Sequence, residues 1–162
     1  MTAHAATATL RRLGAIAVLL MGVDHLQQFY GAYYDAIPTI GTLFVLNFAS
    51  STAVGLGLLA PLDSLSKRWG PRVLRLLALA GVGIAGGSLA GLLVSEQWGL
   101  FGFMEAGYRQ AIVVSIAAEA AAIALLGAYL VAARPRRPAA SRGPRSTSSN
   151  LGSWRRPGET AR

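Results

Sequence analysis

The chain has 162 residues, of which 53% are hydrophobic and only 14% are charged, whereas an ordinary soluble domain carries about 25% charged residues. Such a composition predicts an integral membrane protein, and the length allows one unit of four spans joined by short connections. The chain contains no cysteine, which excludes disulfides, thiol redox chemistry and cysteine-based metal sites.

Four apolar segments follow one another along the chain. The predicted transmembrane helices cover residues 9–30, 39–60, 73–95 and 111–133, and about 20 residues are enough to cross a hydrocarbon core of ~30 Å. They predict an all-α, polytopic membrane protein with a four-helix transmembrane domain in residues 1–133. Pro38 stands where the second helix begins, and proline suits the first turn of a helix.

The first apolar segment also has features of a cleaved secretory leader, which starts with basic residues and a short apolar core. Here the core runs into Asp-His-Leu-Gln-Gln at residues 24–28, where a leader would carry a small-residue cleavage site. We therefore expect this segment to remain as a span.

Basic residues predict the orientation of the spans. Fourteen of the 15 lie in the N-terminal segment, in the connection between the second and third spans with its flank, or from Arg134 onward, and Arg109 alone lies on the other side. Because cytoplasmic segments carry the excess of Lys and Arg, we expect a multi-pass protein of the cell membrane with both termini in the cytoplasm.

The residues after the fourth span form a basic segment rich in Arg, Pro, Ser and Gly. This composition predicts a disordered cytoplasmic tail over residues 134–162, whose arginines are expected to contact anionic lipid head groups. The net charge of +8 does not indicate a nucleic-acid partner, because no helix shows a basic face interleaved with aromatic residues.

Three of the predicted spans carry a carboxylate or an amide at similar depth. Asp24 lies ~9 Å inside the outer end of its helix, and Asn47 and Glu119 lie ~12 Å inside theirs, at a rise of about 1.5 Å per residue. Polar residues three or four positions away share the same helix face. The candidate cluster for an intramembrane polar or ligand site consists of Asp24, His25, Gln28, Asn47, Ser51, Ser115 and Glu119.

A charged side chain in hydrocarbon costs at least ~2.5–3.5 kcal/mol, so these carboxylates must be protonated, paired or hydrated. Three interpretations stay open. The cluster is a network that only bonds the helices together, it is a ligand or proton site, or its members face different directions.

Catalysis and resident cofactors are not expected. The only other histidine, His4, lies outside the membrane, which disfavours a haem, and no ligand spacing supports a metal. No nucleophile has a recognisable base, so we expect no enzyme, no cofactor and no metal.

The third span is rich in glycine. Gly83, Gly87 and Gly91 recur at four-residue spacing, a small-residue stripe that allows another helix to approach closely. The neighbour is a helix of the same chain, a second copy or another membrane protein, and we expect intrachain packing before a homodimer.

The sequence resembles a loose group of DoxX-like four-helix membrane proteins from high-G+C bacteria. The resemblance covers residues 13–130 and rests on His25 and Leu26, residues 37–47, residues 99–105, and Glu119 within an alanine-rich last helix. It implies a four-helix fold in a bacterial cytoplasmic membrane and draws attention to His25, Asn47 and Glu119, but it supplies no reaction.

Two kinds of function follow from these observations. The first is a non-enzymatic accessory or interaction component whose polar cluster is structural. The alternatives are a small proton-coupled transporter using Asp24 and Glu119, and a quinone-binding oxidoreductase subunit.

Overall fold

The structure is a computed structural model that describes residues 3–105, 107 and 110–134. The predictions for Arg109 and for the tail beyond Arg134 fall outside the described residues. The helices are α1 (Ala3–Gly31), α2 (Pro38–Leu59), α3 (Leu62–Leu65), α4 (Gly70–Gln97) and α5 (Gln110–Ala132), and Tyr34–Ala36 forms a 3-10 turn.

All helices but α3 are long and apolar enough to cross a membrane. Within the described ranges no strand is present, so the predicted fold class, an all-α membrane bundle with four spans, is confirmed. Pro38 occupies the first turn of α2 as predicted, because a proline there forfeits no helical hydrogen bond.

Two helices are longer than their predicted spans. Helix α1 begins at Ala3 rather than at residue 9, since the alanine-rich start of the chain favours helix and a helix need not end where the lipid ends. Helix α4 begins at Gly70 with a proline in its first turn, and the short α3 lies in the predicted loop before it.

The four long helices form a ring in which sequence neighbours run antiparallel. Helix α1 packs on α2 and α5, and α4 packs on α5 and α2, so that α2 and α5 face each other across the bundle. One end of the bundle, called here the aromatic end, carries the 3-10 turn and residues 98–105. The opposite end, called the basic end, carries Arg11, Arg12, Lys67, Arg68, Arg72 and Arg75.

Glycines make the closest helix crossings. A Cβ atom placed on Gly22 of α1 would lie 2.9 Å from the Ser51 Cβ of α2, and one placed on Gly55 of α2 would lie 2.5 Å from the Leu19 Cγ of α1. At these two points α1 and α2 therefore lie so close together that only glycine fits.

The predicted stripe on α4 does not take part in these crossings. A Cβ atom on Gly83 or Gly87 would meet nothing within 4 Å, and one on Gly91 would meet only a Leu100 side-chain atom at 3.8 Å. The prediction of intrachain packing at the stripe is wrong. The face of α4 that meets the bundle runs through Gly81, and Gly83 is rotated from it by about 200° at 3.6 residues per turn.

Helices α2 and α4 meet near the basic end and separate toward the aromatic end. A Cβ atom on Gly57 would lie 2.9 Å from Leu77 Cδ1, and one on Gly81 would lie 3.4 Å from Val54 Cγ1. From Ser50 and Ile84 toward the aromatic end, residues of both helices line a cavity. This divergence creates the space in which the polar side chains lie.

Candidate ligand cavity

A cavity of about 330 Å³ occupies the half of the bundle nearest the aromatic end. Its volume is at the lower end of the ~300–1,000 Å³ typical of small-molecule pockets. All four long helices and residues 98–105 contribute to a mostly apolar wall. The polar side chains that the helices place on this wall are His25, Gln28, Asn47, Ser50, Ser88, Ser95, Ser115 and Glu119.

His25 and Glu119 are the two ionisable side chains at the deep end of the cavity. The Nε2 atom of His25 lies 3.8 Å from Oε1 of Glu119 and 2.9 Å from the Ser88 hydroxyl oxygen. Both side chains are buried, and Ser88 is close enough to interact with the Glu119 carboxyl group as well. Helices α1, α4 and α5 thus bring one polar group each to the same point.

The tautomer of neutral His25 follows from its other ring nitrogen. Nδ1 lies 2.9 Å from the Met21 carbonyl oxygen, and because a carbonyl can only accept, Nδ1 carries the hydrogen. Nε2 then accepts a hydrogen bond from Ser88 when the ring is neutral. One proton shared between the two side chains has two placements. Either Glu119 is a neutral acid beside a neutral His25 ring, or Glu119 is a carboxylate beside a positively charged ring, and in both cases this pair has no net charge.

The Glu119 carboxyl group has an unsatisfied oxygen. Ser115 donates a long hydrogen bond of 3.5 Å to Oε1, whereas the buried Oε2 has no hydrogen-bond partner among the described residues. The side chain belongs to a residue that is 1% exposed. A buried polar atom without a partner costs about 1–3 kcal/mol. A hydrogen bond from a ligand or water in the cavity would offset this cost for Oε2.

An aromatic cap, formed by Tyr34, Phe44 and Phe103, covers the cavity at the aromatic end. The Tyr34 ring stacks on Phe44 at 4.5 Å between centroids and meets Phe103 edge-on at 5.6 Å. The Tyr34 hydroxyl donates to the Glu105 carboxylate. Phe44 in turn lies 5.0 Å from the His25 ring, so the cap reaches down to the ionisable pair.

Ser95 hydrogen-bonds residues 98–105 to the end of α4. Its hydroxyl oxygen accepts from the Glu105 backbone N–H at 3.2 Å and donates to the Phe103 carbonyl oxygen at 3.4 Å. Ser95 therefore bonds to both Phe103 and Glu105, the two residues of this segment with which Tyr34 interacts. These bonds hold the aromatic cap over the cavity.

The structure divides the predicted cluster. His25, Gln28, Asn47, Ser115 and Glu119 line the cavity. Asp24 is half-buried outside the cavity wall and accepts a hydrogen bond of 2.7 Å from Gln28. Ser51 lies in the crossing of α2 with α1 and donates to Asn47 at 3.1 Å. Of the glycine stripe, Gly87 and Gly91 line the cavity and Gly83 does not.

Sequence reasoning missed Ser88, Tyr34 and Glu105. A signal for Ser88 was present, because it lies ~13 Å from the end of α4 at 1.5 Å per residue, close to the depth of Asn47 and Glu119. Tyr34 and Glu105 gave no such signal, since their meeting depends on how two connections fold over the bundle. In the part of the chain that the structure describes, no three His, Cys, Asp or Glu side chains converge as a metal site would.

Fold and cavity together define a multi-pass, four-helix membrane protein with a polar pocket inside its bundle. Comparison of the chain with protein-family models, with curated proteins and with solved structures found no match. The resemblance to DoxX-like proteins therefore stays a prediction, and the function has to be argued from the cavity.

Proposed function

We propose that the protein is a non-enzymatic component of a bacterial cytoplasmic membrane that binds a small molecule in the cavity between its helices. The observation that carries the proposal is the buried Glu119 oxygen, which lacks a partner and belongs to a side chain on the cavity wall. The basic end is proposed to face the cytoplasm, where the tail would contact anionic lipid.

A purely structural cluster fits the geometry less well. A network that only joins helices satisfies its own polar atoms and fills the space between them. Here the buried Oε2 of Glu119 has no hydrogen-bond partner among the described residues, and a cavity of about 330 Å³ separates the polar walls. Those features favour a binding site.

The test uses the molecule that accompanies the gently purified protein, detected by native mass spectrometry. Glu119→Leu removes both carboxyl oxygens while keeping a side chain of similar size, so we expect the bound molecule to be lost. Asp24→Leu is the matched control, because Asp24 is an intramembrane carboxylate that does not line the cavity.

The proposal requires the bound molecule in the wild type and in Asp24→Leu and its absence in Glu119→Leu. Circular dichroism and thermal unfolding show that each variant is folded. A bare protein in all three cases, or equal binding in all three, would overturn a binding site at Glu119.

A second candidate, a proton-coupled carrier, is favoured by one observation. The His25–Glu119 pair lines the cavity and can hold one proton in two places without acquiring net charge. The pair replaces the Asp24–Glu119 combination suggested by the sequence, because Asp24 is not on the cavity wall. Uptake of the bound molecule into proteoliposomes must then stop in both His25→Gln and Glu119→Gln, and unchanged uptake in both would remove this candidate.

A further inference from the structure

The cavity opens on the side of the bundle. Four of its lining residues are also exposed at the outer surface: Leu43 and Leu46 are 41% and 55% exposed, and Ser50 and Gly87 are exposed as well. The first three lie on one face of α2 and the fourth lies on α4. Residues that are both exposed and cavity-lining mark its mouth, so the mouth lies between α2 and α4.

Gly87 widens this mouth. A Cβ atom there would meet nothing within 4 Å, so neither a side chain on α4 nor one from a neighbouring helix obstructs the gap at this level. Apart from Ser50, the residues that frame the mouth are apolar, with Leu43 and Leu46 on the α2 side. In a protein that spans the membrane, such a surface faces lipid tails.

Among the described residues, the aromatic cap stands between the cavity and the aromatic end. Tyr34 is 4% exposed, and its contacts with Phe44, Phe103 and Glu105 place these side chains between the cavity and that end. A molecule that reaches Glu119 without displacing the cap passes between α2 and α4.

The wall also restricts the chemistry of the occupant. No Lys or Arg is among the described residues that line the cavity, so an anionic group would lack a counter-ion, and the His25–Glu119 pair that shares one proton offers no net positive charge. The unpartnered Oε2 of Glu119 accepts a hydrogen bond as a carboxylate and donates or accepts one as an acid. A hydroxyl group suits every one of these states because it both donates and accepts.

We propose that the cavity takes a membrane-dissolved amphiphile through the mouth between α2 and α4, with an uncharged hydroxyl-bearing head at Glu119 and an apolar tail that leaves beside Gly87 into the lipid. The inference rests on the proposed function and adds the ligand class and its route.

Phenol and its para-octyl derivative test this route, because they share a head and differ only in the tail. Both are tritium-labelled and bound to the protein in phosphatidylcholine nanodiscs, with binding measured by scintillation proximity against empty nanodiscs. Gly87→Leu places a side chain in the mouth. Gly83→Leu is the matched control, since Gly83 is equally open, lies one turn away and does not line the cavity.

In Gly87→Leu we expect the octyl derivative to bind roughly tenfold more weakly, which corresponds to about 1.4 kcal/mol. Phenol should bind as in the wild type, and Gly83→Leu should change neither. Equal binding of the octyl derivative in both leucine variants would overturn the lateral route. An equal loss of both probes in Gly87→Leu would also overturn it, because Gly87 would then lie at the head rather than at the mouth.

A separate measurement tests the proposed ligand class. Glu119→Leu, which removes both carboxyl oxygens, should weaken both probes, and a wild type that binds neither would overturn a hydroxyl-bearing head. The proposed function would still be decided separately, by the molecule that accompanies the purified protein in native mass spectrometry.

Discussion

Arg11 has a structural contact that its place in the charge pattern does not reveal. Its Nη1 atom donates to the carbonyl oxygens of Leu58 and Ala60 at 2.9 and 3.3 Å, and Nη2 lies 3.7 Å from the Asp63 carboxylate. The last carbonyl groups of a helix lack partners within the helix, and a cation there also interacts favourably with the helix dipole. Arg11 of α1 thus caps the end of α2.

Replacing Arg11 with alanine should destabilise the bundle. The Leu58 carbonyl group loses this donor, whereas Ala60 keeps a hydrogen bond from the Leu62 N–H. Since the arginine side chain is only 11% exposed, a loss of about 1–3 kcal/mol is expected. Thermal unfolding in detergent measures it. Arg12→Ala removes the same charge from an exposed position and should leave the unfolding temperature nearly unchanged. Equal effects of the two changes would contradict the capping role.

The sequence located the polar residues by depth but not by direction. Asp24 and His25 are neighbours, yet His25 lines the cavity and Asp24 does not, because successive helical residues point about 100° apart at 3.6 residues per turn. Depth can be counted from the end of a span. Direction depends on how α1 is rotated against α2 and α5, which the sequence pattern did not settle.

At the scale of helices, spacing alone did not identify the glycines that pack. Gly83, Gly87 and Gly91 have the regular spacing, but the close crossing falls at Gly55, where an added Cβ atom would lie 2.5 Å from Leu19 Cγ and 3.3 Å from the Ala15 carbonyl oxygen. The four-residue repeat shows that one helix face carries small residues. Only the assembled bundle shows which of these faces packs against another helix.

A pair of leucine substitutions separates the two kinds of glycine. Gly55→Leu forces α1 and α2 apart and should lower the stability by about 1–3 kcal/mol, as overpacking usually does. Gly83→Leu adds a side chain in open space and should leave the stability unchanged or raise it, since leucine favours helix more than glycine does. Thermal unfolding of both variants in detergent provides the comparison, and a larger loss in Gly83→Leu would contradict the observed packing.

At the scale of the whole molecule, the described basic residues lie at one end of the bundle and most exposed aromatic side chains lie at the other, with Trp69 as the exception at the basic end. Basic side chains including Arg11 and Lys67 lie at one end, and exposed aromatic side chains including Tyr33, Trp98 and Phe101 lie at the other. The segregation agrees with cytoplasmic arginines and an interfacial aromatic belt. It supports the proposed orientation, in which the cavity lies in the half of the membrane away from the cytoplasm.

Single cysteines can test that orientation without background, because the chain has none. Ala36→Cys places a thiol in the exposed 3-10 turn of the aromatic end, and Ser64→Cys places one in α3 at the basic end. A membrane-impermeant maleimide added to intact bacterial cells should label the first and not the second. Labelling of Ser64→Cys alone would reverse the orientation and place the cavity nearer the cytoplasm.

The sequence by itself determined the four spans, the first turn of α2 at Pro38 and the depth of Asn47 and Glu119, because these follow from apolar length, local stereochemistry and helical rise. Only the tertiary structure decided that α2 and α4 diverge, that His25 meets Glu119 and Ser88, and that Tyr34 covers them. Those features depend on the rotation and tilt of whole helices, which packing at Gly22 and Gly55 sets through contacts far apart in the sequence.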